Sequence, residues 1–248
     1  MAARRVTAAR PGSGFWAALT FLTALPAPSA AGSPQGLGRA AAWFPTVGLL
    51  IGVLLGGVRW LGDRLFDPWL AGALVVAAWA VLTGGLHLDG LADCCDGLLA
   101  PVSRARRLEI LRDPRLGSFG VAGLGLFLLL KTLAAARAAP VALLIAPVWA
   151  RGALLVAARQ PQARPGGMGA SFAAGLTPGV LAGAALIPLL LAGLAPLRSG
   201  VALLVAGGAV WGALRLARVR MGGVTGDVYG LAVELCELMV LLVFAARP

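Results

Sequence analysis

The chain has 248 residues, of which 59% are hydrophobic and only 12% are charged. A soluble domain usually carries about 25% charged residues, so this composition indicates a surface that faces lipid. The net charge of +11 comes from 20 arginines and one lysine. A nucleic-acid-binding domain would place such charge on a polar surface, and the sequence has no polar region of that kind. We therefore expect a single membrane domain over residues 1–248 with no nucleic-acid partner.

Stretches of about 20 mostly apolar residues are long enough to cross a bilayer as helices. Seven such stretches predict an all-α, polytopic membrane helical bundle with short loops over residues 40–246: Ala40–Val58, Trp69–Leu88, Leu116–Ala136, Pro140–Ala158, Leu176–Leu197, Gly200–Leu214 and Val228–Ala246. Residues 1–39 form an N-terminal segment with a basic start and a short apolar stretch, Phe15–Leu25. Its composition resembles a cleaved signal peptide. Pro26 and Pro28 favour instead a retained helix at the membrane interface.

The positions of the arginines predict the orientation of the bundle. With seven spans, the loops on one side carry most of the arginines, including Arg104–Arg115 and Arg215–Arg220. Loops rich in arginine normally face the cytoplasm. Both acidic segments, Asp89–Asp96 and Asp227, fall on this side. We therefore expect the N-terminus and the active face in the cytoplasm, the C-terminus outside, and the chain in the cell (inner or plasma) membrane.

Asp89, Asp93 and Asp96 lie among apolar residues, where carboxylates are costly. Their spacing places all three on one face of a helix, over about two turns. Negative groups at this spacing repel unless a cation lies among them. Hard oxygen ligands suit Mg²⁺, which commonly joins one or two carboxylates to a substrate phosphate. The spacing therefore predicts a Mg²⁺ site, with a solvated face at a membrane boundary as the alternative.

A second acidic segment follows the glycine-rich turn Gly222–Gly226. Glycines before a helix allow backbone N–H groups to approach a phosphate, and the helix N-terminus favours negative charge. Asp227 follows the turn, and Glu234 and Glu237 lie further along, inside an apolar span where an ionisable group is usually functional. Lys131, the one lysine, lies inside another span and is the candidate partner of these glutamates, with a side chain that extends to the membrane interface as the alternative.

The link between the first acidic segment and the next span carries Arg112 and Arg115. Guanidinium groups bind phosphate bidentately, so these arginines are candidates for a phosphate clamp. A loop that follows the cytoplasmic charge rule is the alternative. His87, the only histidine, points to the face opposite Asp89 on a continuous helix. We expect it to contact substrate or orient a carboxylate, with a hydrogen-bonded core residue as the alternative.

The segment from residue 84 to residue 97 resembles the signature of the cobalamin synthase family, also called adenosylcobinamide-GDP ribazoletransferase. It reads Gly84-Gly85-Leu86-His87-Leu88-Asp89-Gly90-Leu91-Ala92-Asp93-Cys94-Cys95-Asp96-Gly97. Further similarities follow in the same order over nearly the whole chain: Phe21-Leu22-Thr23 with Leu25-Pro26, Arg112-Asp113 with Arg115-Leu116-Gly117, Lys131, Thr225-Gly226-Asp227, and Glu234 with Glu237. Arg159–Ala174 matches less well, and no residue is assigned from it.

This resemblance implies a multi-pass membrane transferase that needs Mg²⁺. Family members join α-ribazole, or its 5′-phosphate, to adenosylcobinamide-GDP and release GMP, which completes the nucleotide loop of adenosylcobalamin. The implied catalytic and metal-binding residues are Asp89, Asp93, Asp96 and Asp227. The implied substrate-binding residues are His87, Arg112, Asp113, Arg115, Lys131, Thr225, Gly226, Glu234 and Glu237. The sequence is also compatible with a homo-oligomer.

Two other functions would also use clustered carboxylates in a membrane protein. A CDP-alcohol phosphotransferase has a pattern that begins Asp-Gly-x-x-Ala-Arg, whereas Asp89-Gly90-Leu91-Ala92 is followed here by Asp93. A cation transporter would distribute its carboxylates through the depth of the membrane, whereas this chain concentrates them near one face. Both alternatives therefore fit the sequence less well than the transferase.

Overall fold

The computed structural model describes residues 13–28, 34–164 and 168–247. Residues 1–12 and 29–33 of the predicted N-terminal segment lie outside the described residues, as do 165–167. The all-α prediction is confirmed by a succession of helices: α1 (Ser13–Leu22), α2 (Pro34–Ala40), a 3₁₀ turn (Ala41–Trp43), α3 (Phe44–Leu65), α4 (Pro68–Thr83), α5 (Leu86–Leu99), α6 (Arg104–Ile110), α7 (Ser118–Arg137), α8 (Ala142–Ala158), α9 (Met168–Ala174), α10 (Pro178–Ala192), α11 (Pro196–Met221) and α12 (Gly226–Ala245).

Four helical segments are long and apolar enough to cross a membrane: Gly36–Leu65, which contains α3, and α7, α11 and α12. α4 and α5 would form a fifth span only as a bent pair, and α8 and α10 are shorter apolar helices of 17 and 15 residues. Each predicted span therefore corresponds to an apolar helix, while the count of seven crossings stays a prediction. α11 exposes large apolar side chains, as a surface in contact with lipid would: Leu197, Leu203, Leu204, Trp211 and Val219.

The prediction of one continuous helix over Trp69–Leu88 is wrong. α4 ends at Thr83, and the chain bends by 95° before α5 begins at Leu86. Gly84 and Gly85 have φ angles of 62° and 70°, in the left-handed region that glycine adopts without a steric cost. The bend separates the acidic helix α5 from the apolar helix α4 and directs it along α7 and α12.

α12 lies at the centre of the bundle, packed against α5, α7, α8 and α11. It is apolar around most of its circumference, with buried side chains such as Val228, Ala232, Val240 and Leu241, as expected of a helix enclosed on all sides. α3 packs against α8 on one flank, and α4 packs against α7 on another. These contacts hold the acidic helix α5 beside the N-terminal half of α12.

Candidate active site

The two acidic segments of the sequence meet where α5 crosses the first turn of α12. Gly90 makes this crossing close, because a Cβ atom at position 90 would lie only 2.7 Å from the carbonyl oxygen of Asp227. The charged groups that act on Asp93 are Asp89, Asp227 and Asp96. The fold therefore brings the other three predicted catalytic carboxylates within electrostatic range of Asp93.

Asp96 has protein partners at this crossing. Its carboxylate oxygens accept hydrogen bonds from the backbone N–H groups of Gly117, at 2.7 Å, and Gly120, at 2.9 Å. The first N–H groups of a helix have no partner within that helix, so Asp96 caps the start of α7. Among the described residues, no three His, Cys, Asp or Glu side chains lie close enough to hold a metal ion. The predicted role of Asp96 as a metal ligand stays a prediction.

A cavity of about 390 Å³ opens beside the crossing of α5 and α12. The predicted site residues that line it are His87, Asp89, Thr225, Gly226 and Asp227. His87 is buried and Asp89 is exposed, although both contribute to the lining of the cavity. The cavity thus collects residues from both acidic segments.

The loop between α8 and α9 completes the cavity with residues that the sequence analysis did not assign. Two backbone hydrogen bonds of 2.9 Å join residues 161–163 to Val224, in the turn before α12. Gly223 permits this contact, since a Cβ atom there would lie 2.5 Å from the backbone nitrogen of Ala163. Gln162 and Arg164 consequently line the cavity beside Thr225–Asp227.

Arg164 is the one cationic side chain among the described residues that line the cavity, whereas Asp89 and Asp227 both contribute carboxylates. Its Nη2 donates a hydrogen bond of 2.6 Å to the carbonyl oxygen of Leu108, and its charge acts on Asp227. Thr225 Oγ1 donates to Asp227 Oδ2 at 3.0 Å. With Asp93 included, the carboxylates here outnumber the cation, so the site favours a positively charged ligand. We call Asp89, Asp93 and Asp227 the acidic site.

The predicted phosphate-binding loop lies outside this cavity. Arg115 forms a bidentate pair with Asp113, with its Nε at 2.9 Å from Oδ1 and its Nη2 at 2.7 Å from Oδ2. These hydrogen bonds lower the pKa of Asp113 to about 2, so this carboxylate is ionised at neutral pH. Arg112 is exposed to solvent. Their role in binding phosphate stays a prediction.

Two open hollows connect this loop with the cavity. The hollow beside Asp113 and Arg115 shares Leu116 with a second hollow, which in turn shares Leu86 and Asp89 with the cavity. Asp89 therefore lies where the cavity meets a more open surface that extends towards Arg115.

Lys131, Glu234 and Glu237 form a cluster with Arg151 inside the bundle, which we call the ionic cluster. Lys131 Nζ lies 2.6 Å from one oxygen of each glutamate, and Arg151 pairs with the other oxygen of Glu237. All four side chains belong to residues that are at most 2% exposed. The predicted pairing of Lys131 with the glutamates is confirmed. These residues are absent from the described lining of the cavity, and their predicted contact with substrate stays a prediction.

The cobalamin-5-phosphate synthase family matches residues 14–245 of this chain. The chain belongs to that family. It is 43% identical over 245 residues to the adenosylcobinamide-GDP ribazoletransferase of Pseudomonas syringae pv. syringae (strain B728a), covering 93% of this chain and 98% of the relative. The protein of the same name from Roseiflexus sp. (strain RS-1) is 39% identical over 233 residues, covering 90% and 86%. The one from Brevibacillus brevis is 35% identical over 239 residues, covering 92% and 96%.

No solved structure matches this cobalamin-5-phosphate synthase family member. The range matched by the family contains the cavity, the acidic site and the ionic cluster. The family predicted from residues 84–97 is therefore confirmed over most of the chain. The matched range also includes Gln162 and Arg164, which the motif comparison had left unassigned.

Proposed function

We propose that this chain transfers α-ribazole, or α-ribazole 5′-phosphate, onto adenosylcobinamide-GDP and releases GMP. The product is adenosylcobalamin, or its 5′-phosphate. The observation that carries this proposal is the group of carboxylates where the cavity meets the more open surface beyond Asp89. The relatives, which are named adenosylcobinamide-GDP ribazoletransferases, support the choice of reaction.

The proposal includes Mg²⁺ as cofactor. Asp89, Asp93 and Asp227 offer hard oxygen atoms in a region with an excess of negative charge. Mg²⁺ commonly uses only one or two protein carboxylates and completes its shell with water and substrate phosphate, so this donor set fits. When bound, the ion would neutralise the diphosphate and the departing GMP. Asp96 would join the ligands only after releasing the N–H groups of Gly117 and Gly120.

The residues of the chain would hold two substrates of very different size on either side of Asp89. The cavity suits a nucleoside, and the more open surface from Asp89 towards Arg115 suits the larger corrinoid with its diphosphate. Phosphoryl transfer depends mainly on such positioning and on charge stabilisation. The border position of Asp89 therefore places the reacting groups of the two substrates next to each other.

The transfer forms one bond and breaks one bond at phosphorus. A ribose hydroxyl of the nucleoside other than the 5′-hydroxyl bonds to the phosphorus that carries the cobinamide, because the product from α-ribazole 5′-phosphate keeps that phosphate. The bond from this phosphorus to the bridging oxygen breaks, and that oxygen leaves with GMP. A hydroxyl nucleophile also loses its proton, which a carboxylate of the acidic site would accept as general base.

We further propose that the cavity faces the cytoplasm from the inner membrane. The arginine-rich segment Arg104–Arg115 borders this end of the bundle, where Arg107 Nη1 donates to the carbonyl oxygens of Gly97 and Leu98 at 2.7 and 2.9 Å. Loops rich in arginine remain on the cytoplasmic side. Soluble nucleotides are available on that side.

Reconstituted protein in proteoliposomes tests the reaction. We expect GMP and a cobalamin product in equal amounts from adenosylcobinamide-GDP, α-ribazole and Mg²⁺, and no GMP when α-ribazole is omitted. A parallel reaction with a CDP-activated lipid and an alcohol tests for the activity of a CDP-alcohol phosphotransferase, the alternative enzyme class. Absence of product from folded, inserted protein would overturn the proposal.

A further inference from the structure

One wall of the cavity is a layered stack of aromatic rings. Phe21 of α1, Phe44 of α3 and Phe172 of α9 all contribute to the lining. The ring centroids of Phe21 and Phe44 are 5.9 Å apart with planes at 19°, and those of Phe44 and Phe172 are 5.8 Å apart at 12°. Leu37 and Leu86 extend this apolar surface. Flat aromatic ligands bind favourably against surfaces of this kind.

Among the polar side chains that line the cavity, Tyr229 carries a hydroxyl group that Gln162 holds in place. Gln162 Nε2 donates hydrogen bonds to the Tyr229 hydroxyl oxygen at 2.9 Å and to the Gln160 carbonyl oxygen at 3.1 Å. Both N–H bonds of the Gln162 amide are thus committed within the protein. Because the Tyr229 oxygen accepts from Gln162, its own proton is directed elsewhere and is available to a ligand.

The size of the cavity limits which part of the two substrates it can hold. At about 390 Å³, it falls within the usual range for small-ligand sites, about 300–1,000 Å³. A corrin ring with its side chains is several times larger than a nucleoside. The cavity therefore accommodates a nucleoside and leaves the corrinoid on the open surface beyond Asp89.

The polar edges of the two nucleosides in the reaction differ. The base of α-ribazole is a benzimidazole, whose fused rings carry one free nitrogen lone pair and no N–H donor. Guanine carries both donors and acceptors along its edge. The Tyr229 O–H matches the single acceptor of a benzimidazole, and the apolar aromatic wall suits a base with few polar atoms along its edge.

We propose that this cavity is the subsite for the base of the ribazole substrate, an assignment that rests on the proposed function. Tyr229 donates its hydroxyl proton to the free ring nitrogen, and the base packs against the wall formed by Phe21 and Phe172. The ribose then extends towards Asp89 and Asp227, which brings its reacting hydroxyl to the border with the open surface. Tyr229 and the aromatic wall thus determine which nucleoside is accepted.

The hydrogen bond is tested with Tyr229→Phe and two nucleosides. The second nucleoside is the indole α-riboside, in which C–H replaces the free ring nitrogen. We expect wild type to favour α-ribazole about tenfold in kcat/KM, and Tyr229→Phe to lose most of this preference, in keeping with one net hydrogen bond. The KM for adenosylcobinamide-GDP should change by less than about twofold. An unchanged preference in Tyr229→Phe would overturn the assignment of the donor.

The aromatic wall is tested with Phe21→Leu, which keeps an apolar side chain but removes the ring. Its matched control is Phe15→Leu on the same helix, whose ring contacts Trp43 at 5.9 Å outside the cavity. We expect Phe21→Leu to raise the KM for α-ribazole about tenfold, since stacking of a base on an aromatic side chain is worth about 1–3 kcal/mol. Phe15→Leu should leave this KM unchanged.

The outcomes separate this inference from the proposed function. If wild-type protein releases no GMP with either nucleoside, the proposed reaction is wrong. If wild type turns over, but Tyr229→Phe and Phe21→Leu raise the KM for adenosylcobinamide-GDP instead, the cavity holds guanine and the subsite assignment is overturned. If both variants raise only the KM for α-ribazole, the assignment is supported.

Discussion

The ionic cluster and the acidic site both hold carboxylates within an apolar bundle, but they differ in their cations. In the ionic cluster, Lys131 and Arg151 balance Glu234 and Glu237. In the acidic site, three carboxylates have Arg164 as their one cationic neighbour in the described lining of the cavity. Buried charge is costly unless it is paired. The ionic cluster is therefore balanced in charge within the protein, whereas the acidic site has an excess of negative charge that the proposed Mg²⁺ would offset.

The two regions also differ in access. The ionic cluster is enclosed by α7, α8 and α12, and its members are almost fully buried. Asp89 is exposed and lines both the cavity and the neighbouring hollow. A site that exchanges ligands needs such access, while a cluster that holds helices together is better protected from water. Removing a group from the acidic site should therefore chiefly affect turnover. Removing a group from the ionic cluster should chiefly affect stability.

Removal of the divalent cation should have the largest effect on turnover. We expect EDTA to lower the rate of GMP release by about a thousandfold, because metal stabilisation of phosphoryl transfer is worth several kcal/mol. Added Mg²⁺ should restore the rate. The thermal midpoint should change little, since the ionic cluster is balanced by protein cations. Full turnover after exhaustive chelation would show that the acidic site does not work through a metal.

Asp89→Asn should lower kcat by about a hundred- to a thousandfold, the range found when one preorganised charge-stabilising group is lost. The substitution keeps the shape of the side chain and removes its charge. Glu109→Gln is the matched control, since Glu109 forms an exposed ion pair with Arg106 at 2.8 Å away from the cavity. A variant Asp89→Asn with near wild-type kcat would exclude this carboxylate from the reaction.

Glu234→Gln should chiefly affect stability, because it leaves the ionic cluster with an unbalanced buried cation. We expect a loss of about 3–5 kcal/mol in the free energy of unfolding, measured by thermal and denaturant unfolding in detergent. Combining it with Lys131→Met should recover much of this loss, because Arg151 and Glu237 would remain as a balanced pair. If the double variant were no more stable than Glu234→Gln, charge balance would not explain the cluster.

Asp113→Asn should have the smallest effect. Its exposed pair with Arg115 lowers the pKa of Asp113 from 3.8 to about 2. A lowered folded-state pKa means that the pair contributes above about pH 4 and that this contribution is lost as the pH falls towards 2. Between pH 5 and 9, the difference in thermal midpoint between wild type and Asp113→Asn should be small and constant. A difference that varies across this range would mean that another group titrates with the pair.

Local sequence signals predicted the helices and the ionic partners well. Hydropathy located the apolar helices, and the need of a buried charge for a counter-charge paired Lys131 with Glu234 and Glu237 before any contact was known. The glycine-rich turn correctly predicted a helix that begins beside Asp227. These features depend on residues near in sequence or on the general cost of buried charge.

Features that depend on long-range contacts could not be predicted in the same way. Hydropathy continues across Gly84 and Gly85, so it did not reveal the bend between α4 and α5. Asp96 caps a helix that begins more than 20 residues later in the sequence. Gln162 and Arg164 enter the cavity only because their loop pairs with Val224. The alternation of polar residues 160, 162 and 164 after α8 was the only local signal for that loop.

The most direct test compares GMP release by Asp227→Asn with that of the double variant Lys131→Met/Glu234→Gln, each normalised to folded, inserted protein. We expect a loss of about a hundredfold or more for Asp227→Asn and a rate within about threefold of wild type for the double variant. Near wild-type release by Asp227→Asn, together with an inactive but stable double variant, would contradict the assignment of the chemistry to the acidic site. It would place the chemistry at the ionic cluster.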